Sequence, residues 1–126
     1  IETLTEEETL NLLRFYYEER GYIVDFDSFK PIVRKNNHTY RLFIILKPIN
    51  ITNQDFLYIT SYKKNVDGII IVTNQNLTKE QREKIKEKGI YTITKEGLIN
   101  IYQDFLRNID IIDTRRKRIK RNRGGN

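Results

Sequence analysis

Six residues, Gly68 to Thr73 (GIIIVT), constrain this chain more than any others. The run is too short for a membrane span and is preceded by the turn pair Asp67-Gly68, which makes it a buried strand. The residues after it have a readable order. Thr78 caps a helix with Glu80, Gln81 and Glu83 in its first turns and Lys84, Lys86 and Lys88 near its end, matching the macrodipole, and Gly89 closes it. Ile90 to Ile93 is a second short strand, and Leu98, Ile101, Tyr102, Phe105 and Leu106 form the apolar face of a last helix.

Upstream, Thr5 ahead of Glu6, Glu7 and Glu8 is a capping-box pattern, and Leu10, Leu12, Leu13, Tyr16 and Tyr17 recur at helical spacing as far as Gly21. Tyr22 to Phe26 alternates like a strand. Tyr40 to Leu46 is apolar enough to be central in a sheet, and Lys35, Asn36, Asn37 and His38 before it read as a hairpin turn. Pro48 ends that strand, because it has no N–H to continue a ladder. The segment from Thr52 to Asn65 fits a helix or a strand by pattern. A helix is preferred, since a parallel strand at Gly68 needs a crossover of about a dozen residues. The order α, β, β, α, β, α, β, α predicts an α/β (α+β) domain with a three-layer mixed sheet and helices on both faces.

At 126 residues the chain has the size of one domain, expected over residues 1–112, followed by a basic, flexible tail over 113–126 that ends without structural preference at Gly124, Gly125 and Asn126. There is no cysteine, which excludes disulfides, thiolate metal sites and cysteine nucleophiles. The acidic start IETLTEEETL is unlike a signal peptide, so a soluble intracellular protein of cytoplasm, nucleus or virion is expected. The net charge of +6 is unevenly spread: Arg115 to Arg123 (RRKRIKRNR) holds seven of the 23 basic residues, leaving 16 basic against 17 acidic in residues 1–114. A basic block after a near-neutral domain is the footprint of phosphate contacts, so Arg115, Arg116, Lys117, Arg118, Lys120, Arg121 and Arg123 are the expected nucleic-acid-binding residues. A solubilising terminus, an import signal or a ribosomal contact would have the same composition.

Four stretches carry a family resemblance: RGY at Arg20 to Tyr22, the Lys47-Pro48 step, VDGIIIVTNQNLT at Val66 to Thr78, and EGLINIYQDFL at Glu96 to Leu106. With the order of elements they resemble the restriction-endonuclease-like (PD-(D/E)XK) fold of Mrr-type enzymes and archaeal Holliday-junction resolvases. Within that fold they resemble more specifically the N-terminal jaw domain of the fifth subunit of eukaryotic-type RNA polymerases. The polymerase family continues into a C-terminal assembly domain, where this chain has RRKRIKRNR. The resemblance implies DNA or RNA as a partner, an RNA polymerase or another nucleoprotein complex as a setting, and for a resolvase a homodimer, with no membrane.

Metal-dependent phosphodiester cleavage needs at least two carboxylates for Mg²⁺ and a lysine beside the attacking water. In the nuclease family these are an acid on one strand and E-x-K or Q-x-K on the next. Lys47 in FIILK matches the motif lysine, but Ile45 stands where Glu or Gln belongs, and the facing strand KPIVRK offers Lys30, Pro31, Ile32 and Val33 where the aspartate is expected. An isoleucine cannot ligate a hard cation. Were the site active, Asp25 and Asp27 would have to supply the acid beside Lys47, with Glu18 or Glu19 as a further ligand.

The other candidates are weaker. His38 reads as an exposed turn residue rather than a zinc or catalytic group, and Gly68, Gly89 and Gly97 form no phosphate-cradling motif. The eight tyrosines could stack on bases, but Tyr16, Tyr17, Tyr58, Tyr62 and Tyr102 have the spacing of packing residues. Lys63, Lys64, Lys84, Lys86 and Lys88 make either a basic face or a solvated helix surface. Two functions remain open: a non-catalytic nucleic-acid-associated module of nuclease fold without cofactor, or a small divergent Mg²⁺-dependent nuclease or resolvase.

Overall fold

A threonine side chain starts each of the first three helices, and in each case the chemistry is the same. Thr5 accepts a hydrogen bond from the Glu8 N–H while the Glu8 carboxylate accepts one from the Thr5 N–H, which satisfies two donors that a helix start leaves open. Thr52 with Asp55 and Thr78 with Gln81 repeat the arrangement. In the computed structural model, which describes residues 3–26, 31–46 and 52–124 (backbone alone at 53 and from 110 onward), these caps open α1 (Glu6–Glu19), α2 (Asn53–Ser61) and α3 (Lys79–Glu87). Gly21 and Gly89 follow α1 and α3 with φ of +83° and +71°, the left-handed conformation that lets a helix stop within one turn.

The strands are β1 (Ile23–Asp25), β2 (Ile32–Lys35), β3 (His38–Ile45), β4 (Gly68–Thr73) and β5 (Tyr91–Ile93), and the last helix is α4 (Lys95–Gly124). They form one five-stranded mixed sheet in the order β1-β2-β3-β4-β5. The first three are an antiparallel meander, while β4 runs parallel to β3 and β5 parallel to β4. The hairpin expected at Lys35 to His38 turns on Asn36 and Asn37, both at positive φ, with Lys35 paired to His38. The hairpin makes Ile32–Lys35 a full strand, so the sheet has one strand more than the four in the expected order. Its inward residue, Val33, is wholly buried. The crossover preferred as a helix is helical: α2 joins β3 to the parallel β4.

Both faces of β4 are covered, as its continuous apolar run requires. Ile70 and Val72 pack with Leu12, Leu13 and Tyr17 of α1 and Leu98 and Ile101 of α4. Ile69 and Ile71 pack with Phe56 and Ile59 of α2 and Ile85 of α3. The two helix layers are thus fixed by the alternation of one strand, and each fully buried Leu or Ile there contributes about 1.5–3 kcal/mol relative to exposure.

The C-terminal segment departs from expectation. Over the stretch expected as a basic, flexible tail, 113–126, the backbone of α4 stays helical through Gly124. No proline or glycine interrupts residues 98–123, arginine and lysine are good helix formers, and cations suit a helix C-terminus. Gly125 and Asn126 lie outside the described residues. Among the described residues, no helix is long and apolar enough to cross a membrane.

Candidate nucleic-acid interface

The metal site that the nuclease resemblance implies would fall on the β2–β3 pair. Here Ile45 ends β3 opposite Thr73 of β4, and its side chain packs against the cluster of Phe56, Ile59, Ile69 and Ile71. The position is half-buried against the core between sheet and α2. Lys47, Lys30 and Asp27 lie outside the described residues. Asp25 is exposed at the end of β1, aligned through Ile32 with Arg41, so two strand spacings and four residues separate it from Ile45. That is roughly 16 Å, against metal–oxygen bonds of about 2.0–2.1 Å for Mg²⁺. Glu18 is exposed and engaged by Arg14 at 3.4 Å on the same helix, and Glu19 is exposed beside it at the far end of α1. No group of three His, Cys, Asp or Glu side chains able to hold a metal ion occurs among the described residues.

Among the described residues a carboxylate that lines a groove beside this strand pair is Glu6, which its place among three successive helix-start acids did not single out. Glu6 lies in the first turn of α1 and lines a groove of about 190 Å³ with Pro31, Arg41, Phe43, Tyr58 and Tyr62. The groove is walled by aromatics: the Phe43 and Tyr62 rings are 5.3 Å apart, the Tyr58 and Tyr62 rings 5.1 Å, and the two tyrosine hydroxyls share a 2.9 Å hydrogen bond. The Arg41 guanidinium carbon stands 5.9 Å from the centre of the Tyr62 ring. Arginine against tyrosine offers cation and stacking surface in one place, a chemistry suited to holding a ligand.

A second concave surface lies at the amino ends of β4 and β5. Tyr16, Tyr17, Tyr22, Tyr40 and Tyr91 line a hollow of about 320 Å³ over Ile70. Tyr16, Tyr17 and Tyr22 form a chain of edge-to-face contacts, each with centroids 5.0 Å apart, and Tyr40 meets Tyr91 edge-to-face at 6.2 Å. Tyr17 is the buried floor, where loss of water raises its phenol pKa well above the ordinary tyrosine value, with the neighbouring Tyr16 and Tyr22 adding to the effect. Cations lie against two of the hollow's rings: the Arg20 guanidinium is 3.7 Å from the Tyr16 ring centre, and Lys35 Nζ is 5.3 Å from that of Tyr22. Lys35 also donates a 2.7 Å hydrogen bond to the Arg20 carbonyl, tying the β2–β3 hairpin to the end of α1.

Tyr16 and Arg20 border a further groove, of about 460 Å³, whose wall includes Arg82, Thr92, Asn100 and Asp104. Asp104 is paired with Arg107 at 2.6 Å.

Helical spacing alone assigned Tyr16 and Tyr17 to packing, which holds for the buried Tyr17. It could not show that Tyr40 and Tyr91, each near the start of a strand, stand beside them. The parallel pairings make that meeting, bringing Tyr40 against Gly68 and Tyr91 against Ile70. His38 is exposed, with Nδ1 3.9 Å from the Asp67 carboxylate. Asp67 meanwhile accepts from the Thr39 N–H at 2.7 Å, a structural role at the start of β3. The seven basic residues of the C-terminal block fall on the last turns of α4. No family model, curated protein or solved structure gives a significant match to this chain.

Proposed function

We propose that this chain is a non-catalytic, nucleic-acid-associated module of restriction-endonuclease-like fold, of the RNA-polymerase jaw type, which holds DNA or RNA backbone through the basic end of α4. The observation that carries this reading is the continuous helical backbone under RRKRIKRNR. At 1.5 Å per residue, nine residues rise roughly 13 Å, so seven cations are spaced by about 1.9 Å of axis. Duplex DNA carries one phosphate charge per about 1.7 Å of its own axis. A near-neutral domain with so dense a positive rod at one end is built to exchange counterions with a polyanion.

The fold reading is supported by the meander β1-β2-β3, the helical crossover to a parallel β4, and the place of β2 and β3 as the strand pair ahead of that crossover. The non-catalytic part is supported by Ile45, whose packing against α2 and β4 gives its place on the sheet to the core. The alternative, a divergent Mg²⁺-dependent nuclease, draws support from Glu6 in the groove beside Pro31 and Phe43. One carboxylate does not make the two-carboxylate cradle that Mg²⁺-dependent cleavage needs, and a second acid would have to join it.

The test is a salt titration of binding to a duplex, comparing the full chain with one ending at Thr114. With all seven cations engaged, the full chain loses affinity with a log–log slope approaching about −6. Truncation removes most of both the affinity and the slope. Equal slopes for the two chains would place the contact elsewhere and overturn the reading.

A further inference from the structure

We propose that the tyrosine hollow between α1 and the starts of β3, β4 and β5 is a stacking site for unpaired bases of a single-stranded nucleic acid. It deepens the proposed function and rests on it in one respect, that the ligand is a nucleic acid. The hollow belongs to a part of the fold remote in sequence from the C-terminal basic block.

Three features converge. The first is aromatic surface in an open recess. Five tyrosines surround about 320 Å³, at the lower end of the range for sites that take a small planar molecule, and Tyr91 at the entrance is 61 % exposed. Bases stack on such rings regardless of sequence, because every base has a π-face.

The second is charge. An aromatic recess could equally take a cation, as the cages that bind quaternary ammonium groups do. Here two of the lining rings already carry cations, Arg20 over Tyr16 and Lys35 over Tyr22, and no carboxylate among the described residues lines the hollow. A cationic ligand would meet like charge, whereas a nucleotide brings a phosphate to the same two side chains.

The third is a path for the backbone. The neighbouring groove shares Tyr16 and Arg20 and continues past Arg82, Thr92 and Asn100. The carboxylate in its wall, Asp104, is already paired with Arg107. A strand whose base enters the hollow can lay its phosphates beside Arg20 and Arg82. That groove is walled by α4, so it leads along the same helix that carries the basic block, about 22 Å away from Asn100 to Arg115.

Gly68 keeps the recess open. A methyl group at that position would stand 3.0 Å from a Tyr40 ring carbon and 3.4 Å from one of Tyr91, so a side chain there would fill the floor between the two rings.

The experiment uses the full chain, a fluorescent oligothymidylate and the same length of abasic oligonucleotide, which keeps the phosphates and lacks the bases. The proposal expects the thymidylate to bind at least about tenfold tighter than the abasic strand. It also expects Tyr91→Ala to remove most of that difference while leaving the abasic affinity unchanged. Because the chain has no tryptophan, stacking should quench its tyrosine emission directly. Iodouridine in the strand should crosslink to Tyr91 or Tyr16. Equal binding of the two strands by the parent would overturn the stacking site while leaving phosphate binding by α4 intact. Failure of both strands to bind would overturn both readings. Tyr91-dependent binding of a trimethyl-lysine peptide without any preference for bases would assign the hollow to a cation and overturn the proposal.

Discussion

Tyr40 and Gly68 face each other across the parallel pairing of β3 and β4, and the Tyr40 ring occupies the space that a side chain at Gly68 would need. The glycine is therefore a matter of room, since its backbone is not in the left-handed region. Gly68→Val is expected to destabilise the domain by about 1–3 kcal/mol, the usual cost of overpacking, and Gly68→Ala by less. Urea denaturation of both variants checks this. A valine variant as stable as the parent would show that Tyr40 moves freely and that nothing holds the recess in shape.

Ile45→Glu places a carboxylate where the nuclease pattern would have one, but in this chain it is set against Phe56, Ile59, Ile69 and Ile71. The position is half-buried, and partly desolvating the charge without a partner should cost about 1–3 kcal/mol. Ile45→Val should cost only about 0.5–1.5 kcal/mol. A glutamate variant matching the valine one in denaturant midpoint would mean that position 45 reaches water, and the register of β3 would be wrong.

Tyr17 should make stability depend on alkaline pH. Burial raises its pKa in the folded state, so the neutral phenol is favoured there and the stability it contributes is fully present below the unfolded value of about 10. Above that pH the unfolded chain loses the proton first. Folding stability then falls by up to about 1.4 kcal/mol per pH unit from this group, until the folded state also ionises. Denaturation at pH 8, 10 and 11 should show the decline, and Tyr17→Phe should be flatter over the same interval. An identical decline in the phenylalanine variant would remove Tyr17 as its cause.

Local chemistry made much of this fold legible in the sequence. Thr5 and Thr78 announced their helices because a capping box is a short-range device, and Asn36-Asn37 announced a hairpin because few residues tolerate two successive positive φ values. The apolar run of β4 gave the layers. Contacts that join distant parts of the chain were not legible. Tyr16, Tyr40 and Tyr91 meet only after α1 has packed on the sheet and two parallel strands have aligned, and no spacing in the sequence encodes that meeting. Glu6 was readable as an N-terminal helix acid, which it is, but its approach to Pro31 and Phe43 depends on where α1 lies over the meander. The length of α4 was hidden for a different reason: a block of like charge reads as solvated tail, although arginine and lysine also propagate a helix.

The proposed function stands or falls on whether this domain holds nucleic acid without cutting it. The direct test incubates the full chain with end-labelled single-stranded, duplex and four-way-junction DNA and with RNA, in Mg²⁺ or Mn²⁺, and resolves each reaction on native and denaturing gels. The account predicts strands that are retarded on the native gel and full length on the denaturing one. Cleavage that disappears in Lys47→Ala would contradict it, and would mean that Glu6 and acids outside the described residues rebuild a metal site beside β3.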